Sequence, residues 1–281
     1  PRKIISSIMY IMSIDLKKNP LTYISLFSSA GVGCYGFKLE DFECIATNEI
    51  IERRLNVQKH NNKCRYETGY IADDILKEET KNKIRKELEF WKRNHGIKEL
   101  DVLISTPPCQ GMSVANHKKG NELARNSLVI ESIKLVKEMS PKFFIFENVR
   151  AFLNSLCTDI DGKDKKIREA IELNLGGKYN IHYQVINFKD YGNPSSRTRT
   201  LVIGARKDLQ EITPLEFMPK LQKERTIREV ISSLPSLKIM GQVDRNDIYH
   251  NFRPYAKHMI SWIEETKEGE SAFQNKDPKR R

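Results

Sequence analysis

Short apolar, β-branched runs alternate with longer polar stretches over most of the chain, and this alternation constrains the fold more than any other feature. Tyr23 to Phe27, Glu43 to Thr47, Asp101 to Ser105, Lys142 to Phe146, His182 to Phe188 and Thr200 to Gly204 read as strands. The segments between them are long enough for crossover helices. Asn82 to Asn94 and Leu128 to Met139 carry helical spacing, and Pro141 stops the second. The pattern predicts an α/β fold, doubly wound, with a mainly parallel sheet covered on both faces. In such sheets ligands sit beyond the carboxyl ends of the strands, and each motif below falls at or just after such an end.

The length of 281 residues suits one large domain with a smaller one beside it. The alternation fades after about Ala205, where Pro214, Pro219, Pro235 and Pro254 punctuate a polar stretch. The expected division is therefore an N-terminal extension over 1–20, a catalytic and cofactor-binding domain over 21–210, and a linker with the start of another module over 211–281. No run of about 18 apolar residues exists. The stretch Ile4 to Ile14 is broken by serines and followed by Asp15-Leu16-Lys17-Lys18 in place of a small-residue cleavage site, so a cytoplasmic protein is expected. The excess of 48 Lys+Arg over 37 Asp+Glu, a formal charge of +11, favours a polyanionic partner, although ordinary soluble proteins also carry such a balance. The 5 cysteines are odd in number and lack any Cys-x-x-Cys spacing, which suggests neither a disulfide framework nor a metal site.

Gly31-Val32-Gly33-Cys34-Tyr35-Gly36 directly follows the first strand, and Glu49 ends the second, 18 residues past Gly31. Glycines there permit a tight turn and close approach of a ligand, and the carboxylate can accept hydrogen bonds from ribose hydroxyls. Three readings share this pattern: a nicotinamide or flavin dinucleotide, S-adenosylmethionine, or a turn with no ligand. Asp73-Asp74 could set a carboxylate against an adenine amino group, or cap a helix.

The third strand runs into Thr106-Pro107-Pro108-Cys109-Gln110-Gly111-Met112-Ser113. Two prolines stiffen the backbone before Cys109, and a thiol on such a loop is a candidate nucleophile if neighbouring cations or a helix N-terminus favour its thiolate. The apolar strand Phe143-Phe144-Ile145-Phe146 ends in Glu147-Asn148-Val149, where burial would raise the carboxyl pKa toward neutrality. Arg197 and Arg199, two apart in extended chain, face one side and could present two guanidinium forks, or simply form a solvated basic edge.

Taken in order, Phe27-Ser28-Ser29-Ala30-Gly31, Asn48-Glu49, Pro107-Pro108-Cys109-Gln110-Gly111-Met112-Ser113, Glu147-Asn148-Val149 and Arg197-x-Arg199 resemble the cytosine carbon-5 DNA methyltransferases over about Tyr23 to Arg206. The resemblance implies a Rossmann-like fold that uses S-adenosylmethionine and acts on double-stranded DNA, most simply as the modification arm of a restriction–modification system. It implies that Cys109 adds to cytosine carbon 6, that Glu147 engages ring N3 and the exocyclic amine, and that Arg199, supported by Arg197, sits on the ring carbonyl. The target base must leave the stack to be reached. For the cofactor it implies Phe27, Ser29, Ala30, Gly31 and Glu49 around the methionine part and ribose, Ile50 on adenine, Asp74 at the adenine amine, and Pro108 beside the sulfonium.

The chain departs from the family pattern at Ser29 and Val32 in the glycine loop and at Ser195, where family members usually carry Gln. The family's closing Gly-Asn motif is also unmatched, since the two Gly-Asn dipeptides, Gly120-Asn121 and Gly192-Asn193, lie in other segments. The expectation is the large N-terminal part of a methyltransferase, completed by a complementary chain or continuation. A tRNA-directed member of the same family and a non-catalytic DNA-binding subunit are the alternatives.

Overall fold

The computed structural model describes residues 20–108, 122–210, 212–271, 274–275, 277 and 279. In chain order the first elements are β1 (Thr22–Leu26), α1 (Tyr35–Leu39), β2 (Glu43–Asn48), α2 (Glu52–His60), β3 (Tyr70–Ile71), α3 (Glu78–His95) and β4 (Val102–Ser105). There follow α4 (Glu122–Asn126), α5 (Leu128–Met139), β5 (Phe143–Asn148), β6 (Leu156–Thr158), β7 (Asp164–Lys166), α6 (Ile167–Leu175), β8 (Tyr179–Asn187) and β9 (Thr198–Arg206), then α7 (Ile227–Ile231) and α8 (Lys257–Glu264). The main sheet has the order β3-β2-β1-β4-β5-β9-β8, and β6 and β7 form a separate antiparallel hairpin. Pairing is parallel from β3 through β5, while β9 runs antiparallel to both β5 and β8. The fold is the expected mainly parallel α/β sheet. All six anticipated strands are present, and α5 has the bounds that its spacing predicts.

Side chains alternate across the sheet with the two-residue period of a strand. Ile24, Leu103, Phe144 and Val202 join a core with Ile84, Leu88 and Trp91 of α3 and Val129, Ile133 and Val136 of α5. Tyr23, Val102, Phe143 and Ile203 face the other way, among Phe42, Phe217 and the partly buried Phe37 of α1. Ile84, Leu88 and Trp91 recur at i, i+4 and i+7, which makes the buried stripe of α3. Glu78 and Glu79 in its first turn and Lys92, Arg93 and His95 in its last complement the helix dipole, and Gly96 at φ 65° closes it. Ser140, at φ 50°, ends α5 immediately before Pro141.

The amino ends of the central strands are tied by Asp101, which is buried. Its Oδ2 accepts from Thr22 N at 2.8 Å and Thr22 Oγ1 at 2.9 Å, and its Oδ1 accepts from Lys142 Nζ at 2.9 Å. At the opposite ends the register sets Leu26 beside both Asn48 and Ser105, and Ser105 beside Phe146. The next residues, Phe27, Glu49, Thr106 and Glu147, therefore lie level with one another, the first three opening their loops and Glu147 standing next to the last residue of β5.

The chain divides into two compact units, the first ending at Glu224 and the second beginning at Arg225. The first runs past residue 210 because Pro214 and Phe217 are buried in a 3-10 turn, with the Phe217 ring edge-on to Phe143 at 4.7 Å. In the second unit Thr226 and Glu229 form a capping box that starts α7. None of the described residues of that unit is buried, and its Ile227, Ile239, Ile248 and Tyr249 are 64–88% exposed.

Gly204 lies opposite Phe144 in the β5–β9 pair, and the Phe144 ring covers the space a Cβ would need. Gly204→Ala should overpack this fully buried contact and cost about 1–3 kcal/mol. Urea denaturation measures the shift, and a change below about 0.5 kcal/mol would show that the ring is free to move aside.

Candidate active site

The three level loops, the end of β5 and the start of β9 enclose a cavity of about 530 Å³. Phe27, Ser29, Glu49, Ile50, Asp74, Pro108, Glu147, Arg197 and Arg199 all line it, so nine of the expected site residues meet in one place. Ala30 and Gly31 do not reach it. They line a separate, more apolar depression with Tyr23, Cys34, Val57 and Lys63. Cys109 lies outside the described residues.

The first loop is backbone-strained. Phe27 at φ 53° and Ser29 at φ 49° both adopt left-handed conformations, which cost roughly 1–2 kcal/mol each for residues with a Cβ. Gly31, at φ 87°, makes the third left-handed turn in five residues, and a Cβ there would sit 3.0 Å from Gln58 Cγ. Gly33 and Gly36 have open space around them and no positive φ. Only one of the three glycines in the G-x-G-x-x-G run is therefore demanded by the backbone. The loop passes into a 3-10 turn, Val32–Cys34, and the five-residue α1.

Gln58, buried in α2, holds the strained loop in place. Its Nε2 donates to Ser28 Oγ at 2.8 Å and to the Ser29 carbonyl, and its Oε1 accepts from Thr47 Oγ1 at 2.8 Å. Lys63 Nζ donates to Thr47 Oγ1 at 2.9 Å from the rim. Gln58 has no signature in the sequence, because a polar residue in an otherwise polar helix carries no signal of burial.

Glu49 is 5% exposed. Its Oε2 accepts from Ser29 N at 2.9 Å, and its Oε1 accepts from Ile51 N at 3.1 Å and Arg54 Nη1 at 3.2 Å. Ile50 presents an exposed apolar side chain beside it. On the third wall, Asp74 Oδ1 accepts from Leu76 N at 3.0 Å. Its neighbour Asp73 is bound by Lys77 at 2.9 Å and Lys83 at 3.2 Å, contacts that hold the Asp73 carboxyl well below the usual range.

The proline turn is fixed from two sides. Thr106 Oγ1 donates to the Phe27 carbonyl at 2.9 Å, and the buried Asn148 donates from Nδ2 to the Pro107 carbonyl at 2.9 Å. Asn148 Oδ1 in turn accepts from Val149 N at 2.8 Å. Beside this turn Arg199 Nε meets Glu147 Oε1 at 2.9 Å, with side chains 14% and 27% exposed. Burial pushes the Glu147 carboxyl up, and it outweighs the opposing pull of Arg199 and Arg197. Arg199 Nη1 also donates to the Thr198 carbonyl at 2.7 Å. Arg197 is exposed just before β9, and both arginines border the same cavity, as their spacing implies.

Residues 21–279 match the C-5 cytosine-specific DNA methylase family, and the chain belongs to that family. It is similar to Type II methyltransferase M1.HgaI of Avibacterium volantium, with 31% identity over 92% of this chain and 69% of the relative. It is also similar to Type II methyltransferase M1.HphI of Haemophilus parahaemolyticus, at 35% identity over 86% of this chain and 67% of that protein. A crystal structure of a protein described as a DNA modification methyltransferase encoded within an E. coli prophage superposes with a TM-score of 0.58 at 26% identity, covering 80% of this chain and 58% of the other. The chain spans between 48% and 69% of the length of five curated relatives.

Two consequences are measurable. Gln58→Leu keeps the side-chain volume but leaves the Ser29 carbonyl without its Gln58 donor and Thr47 Oγ1 without its Gln58 acceptor, while Thr47 Oγ1 still reaches Ser28 Oγ at 2.8 Å, so it should destabilise the chain by about 1–3 kcal/mol in urea denaturation. An unchanged midpoint would remove Gln58 from its positioning role. At Glu147 the folded state holds the proton more tightly than the unfolded chain, so this group's contribution to stability falls as pH rises above the ordinary carboxylate pKa of about 4.3. The stability of Glu147→Gln relative to the parent should therefore increase from pH 5 to pH 8. No change over this range would mean that the Arg199 pair outweighs burial, because a lowered carboxyl pKa alters stability only below about pH 4.3.

Proposed function

We propose that this chain is the cofactor-binding and catalytic part of a DNA (cytosine-5-)-methyltransferase, acting as the modification enzyme of a restriction–modification system. The observation that supports it best is the meeting of the Glu147–Arg199 pair, the Glu49 carboxylate and the Pro107-Pro108 turn, which leads directly into Cys109, around one cavity. The cavity volume lies in the range of about 300–1,000 Å³ usual for ligands of cofactor size. Its lining suits S-adenosylmethionine: Glu49 retains an acceptor position for a ribose hydroxyl, Asp74 offers a carboxylate to the adenine amine, Ile50 offers an apolar face, and Phe27, Ser29 and Pro108 surround the remainder. When bound, the cofactor supplies an electrophilic methyl group.

The protein's own part is to make a cytosine ring nucleophilic at carbon 5. Addition of the Cys109 sulfur to carbon 6 moves the ring's π pair onto carbon 5 and into the N3–C2–O2 system. Glu147, whose proton is held by burial, shares it with N3 and takes a hydrogen bond from the exocyclic amine. Arg199 balances the charge that gathers on O2, and Arg197 reinforces it. Once carbon 5 carries the methyl group, its proton would pass to solvent water as the carbon 6–sulfur bond breaks and the thiolate leaves, and the N3 proton would return to Glu147, which restores the aromatic ring. Asn148 acts through the Pro107 carbonyl, keeping the backbone that leads to Cys109 at a fixed distance from β5.

The double-stranded DNA partner is attracted by the +11 charge through salt-dependent phosphate contacts, and the target base is flipped into the cavity. Residues 21–210 carry the chemistry in this reading, and the region after residue 210 leads into target recognition. The recognition module and closing motif come from further polypeptide, in this chain's continuation or in a complementary chain; the lack of any buried residue among the described part of 225–281 supports this. Among the described residues no helix is long and apolar enough to cross a membrane, which fits the cytoplasmic setting proposed here.

Incubation with radiolabelled S-adenosylmethionine and either duplex DNA or tRNA, with and without a candidate partner chain, tests the proposal. Label should enter duplex DNA. Transfer to tRNA alone would move the chain to the RNA-directed branch, and binding to DNA without transfer under every condition would leave only a DNA-binding subunit. DNA carrying 5-fluorocytosine at the target should trap a covalent adduct that Cys109→Ser abolishes, because fluorine blocks the final elimination. Full adduct formation by Cys109→Ser would exclude Cys109 as the nucleophile.

A further inference from the structure

Arg54 lies on α2, five residues beyond Glu49, and no motif in the sequence gives it a role. Its guanidinium borders the cavity and meets Glu49 Oε1 at 3.2 Å, with the arginine side chain 43% exposed and the carboxylate 5% exposed. An ionised carboxylate has about four acceptor positions, two on each oxygen. Ile51 N and Arg54 Nη1 occupy both positions on Oε1, and Ser29 N occupies one on Oε2. One acceptor position therefore remains, on Oε2. A pair of vicinal ribose hydroxyls needs two, one on each oxygen, to be gripped as a fork.

We infer that Arg54 is a specificity-determining residue that limits Glu49 to one ribose hydroxyl, so that the site tolerates a cofactor lacking the other hydroxyl. The inference rests on the proposal that this cavity takes S-adenosylmethionine. Ile51 N and Ser29 N are backbone donors fixed by the loops they belong to, so neither yields its position without moving the backbone. Arg54 is the movable donor of the three. Its side chain is 43% exposed, so a hydroxyl that displaced it from Oε1 would exchange one hydrogen bond to the carboxylate for another and gain little. Removal of the guanidinium frees the second position on Oε1 and lets the carboxylate engage both hydroxyls.

Titration calorimetry on the whole chain with S-adenosylhomocysteine and its 2′-deoxy and 3′-deoxy forms reads the inference without any turnover. One deoxy form should bind within twofold of the parent ligand and the other at least tenfold more weakly. In Arg54→Ala the tolerated deoxy form should become at least threefold weaker than the parent ligand, whereas Arg54→Lys, which keeps a donor on a long stem, should retain the one-sided preference. Tenfold losses for both deoxy forms in the parent protein, or a loss for neither, would overturn the inference and leave the cofactor reading intact. Failure of S-adenosylhomocysteine itself to bind would overturn that reading and the inference with it. The comparison of three ligands on the unaltered chain stands even if a variant fails to fold.

Discussion

Parallel pairing of β1 with β2 on one side and β4 on the other is the constraint from which the site follows. Parallel strands must be joined by crossovers that leave from the same edge, so every loop that follows a central strand emerges on one side of the sheet. The register fixes this to the residue: Leu26, Asn48, Ser105 and Phe146 lie level, and Phe27, Glu49, Thr106 and Glu147 are the next residues, the last of them still within β5. Asp101 locks the far ends of the same strands through Thr22 and Lys142. A slip of one residue in any of these pairings would turn a loop's leading side chain to the opposite face. The site depends on register before it depends on any single functional group.

Level loops alone would leave flexible side chains, and a second set of bonds removes that freedom. Phe27 and Ser29 hold left-handed backbone that their side chains disfavour, and such strain persists only where neighbouring contacts over-determine it. Here Gln58 binds the Ser29 carbonyl, Glu49 binds the Ser29 N–H, and Thr106 binds the Phe27 carbonyl. Three different side chains thus hold two residues, Phe27 and Ser29, of one short turn. Asn148 does for the Pro107 turn what Gln58 does for the first loop.

The strands and the placement of Glu49, Glu147, Arg197 and Arg199 are legible in the sequence, because short apolar runs mark the strands and a charged residue at a strand's end falls where the following loop opens to a ligand. Leu128–Met139 is legible to the residue because its apolar stripe at helical spacing stops just before a proline. The two-residue β3 and the β6–β7 hairpin leave no such trace, since β3 is too short to show a period and Asp164-Lys165-Lys166 carries no apolar alternation. Gln58 and Arg54 are illegible for a different reason: their roles come from where α2 packs against the first loop, and nothing local to Glu52–His60 encodes that. The glycine run misleads by its spacing. Gly31 is required by its φ, but Gly33 and Gly36 are tolerated, and the turn points Ala30 and Gly31 toward the neighbouring depression.

The two carboxylates of the cavity show how one motif, a glutamate at the end of an apolar strand with an arginine against it, meets two different surroundings. At Glu49 two backbone N–H groups share the oxygens with Arg54, so the carboxylate is a fixed acceptor whose remaining capacity is set by geometry. At Glu147 no backbone N–H reaches the carboxylate among the described residues, and the Arg199 guanidinium is the group that pairs with it. Desolvation then prevails over the neighbouring charges and favours the protonated form. Two strands, β1 and β4, lie between a carboxylate held by backbone N–H groups and a carboxyl group that pairs, among the described residues, with an arginine alone, so the same residue type meets two different sets of partners in one cavity.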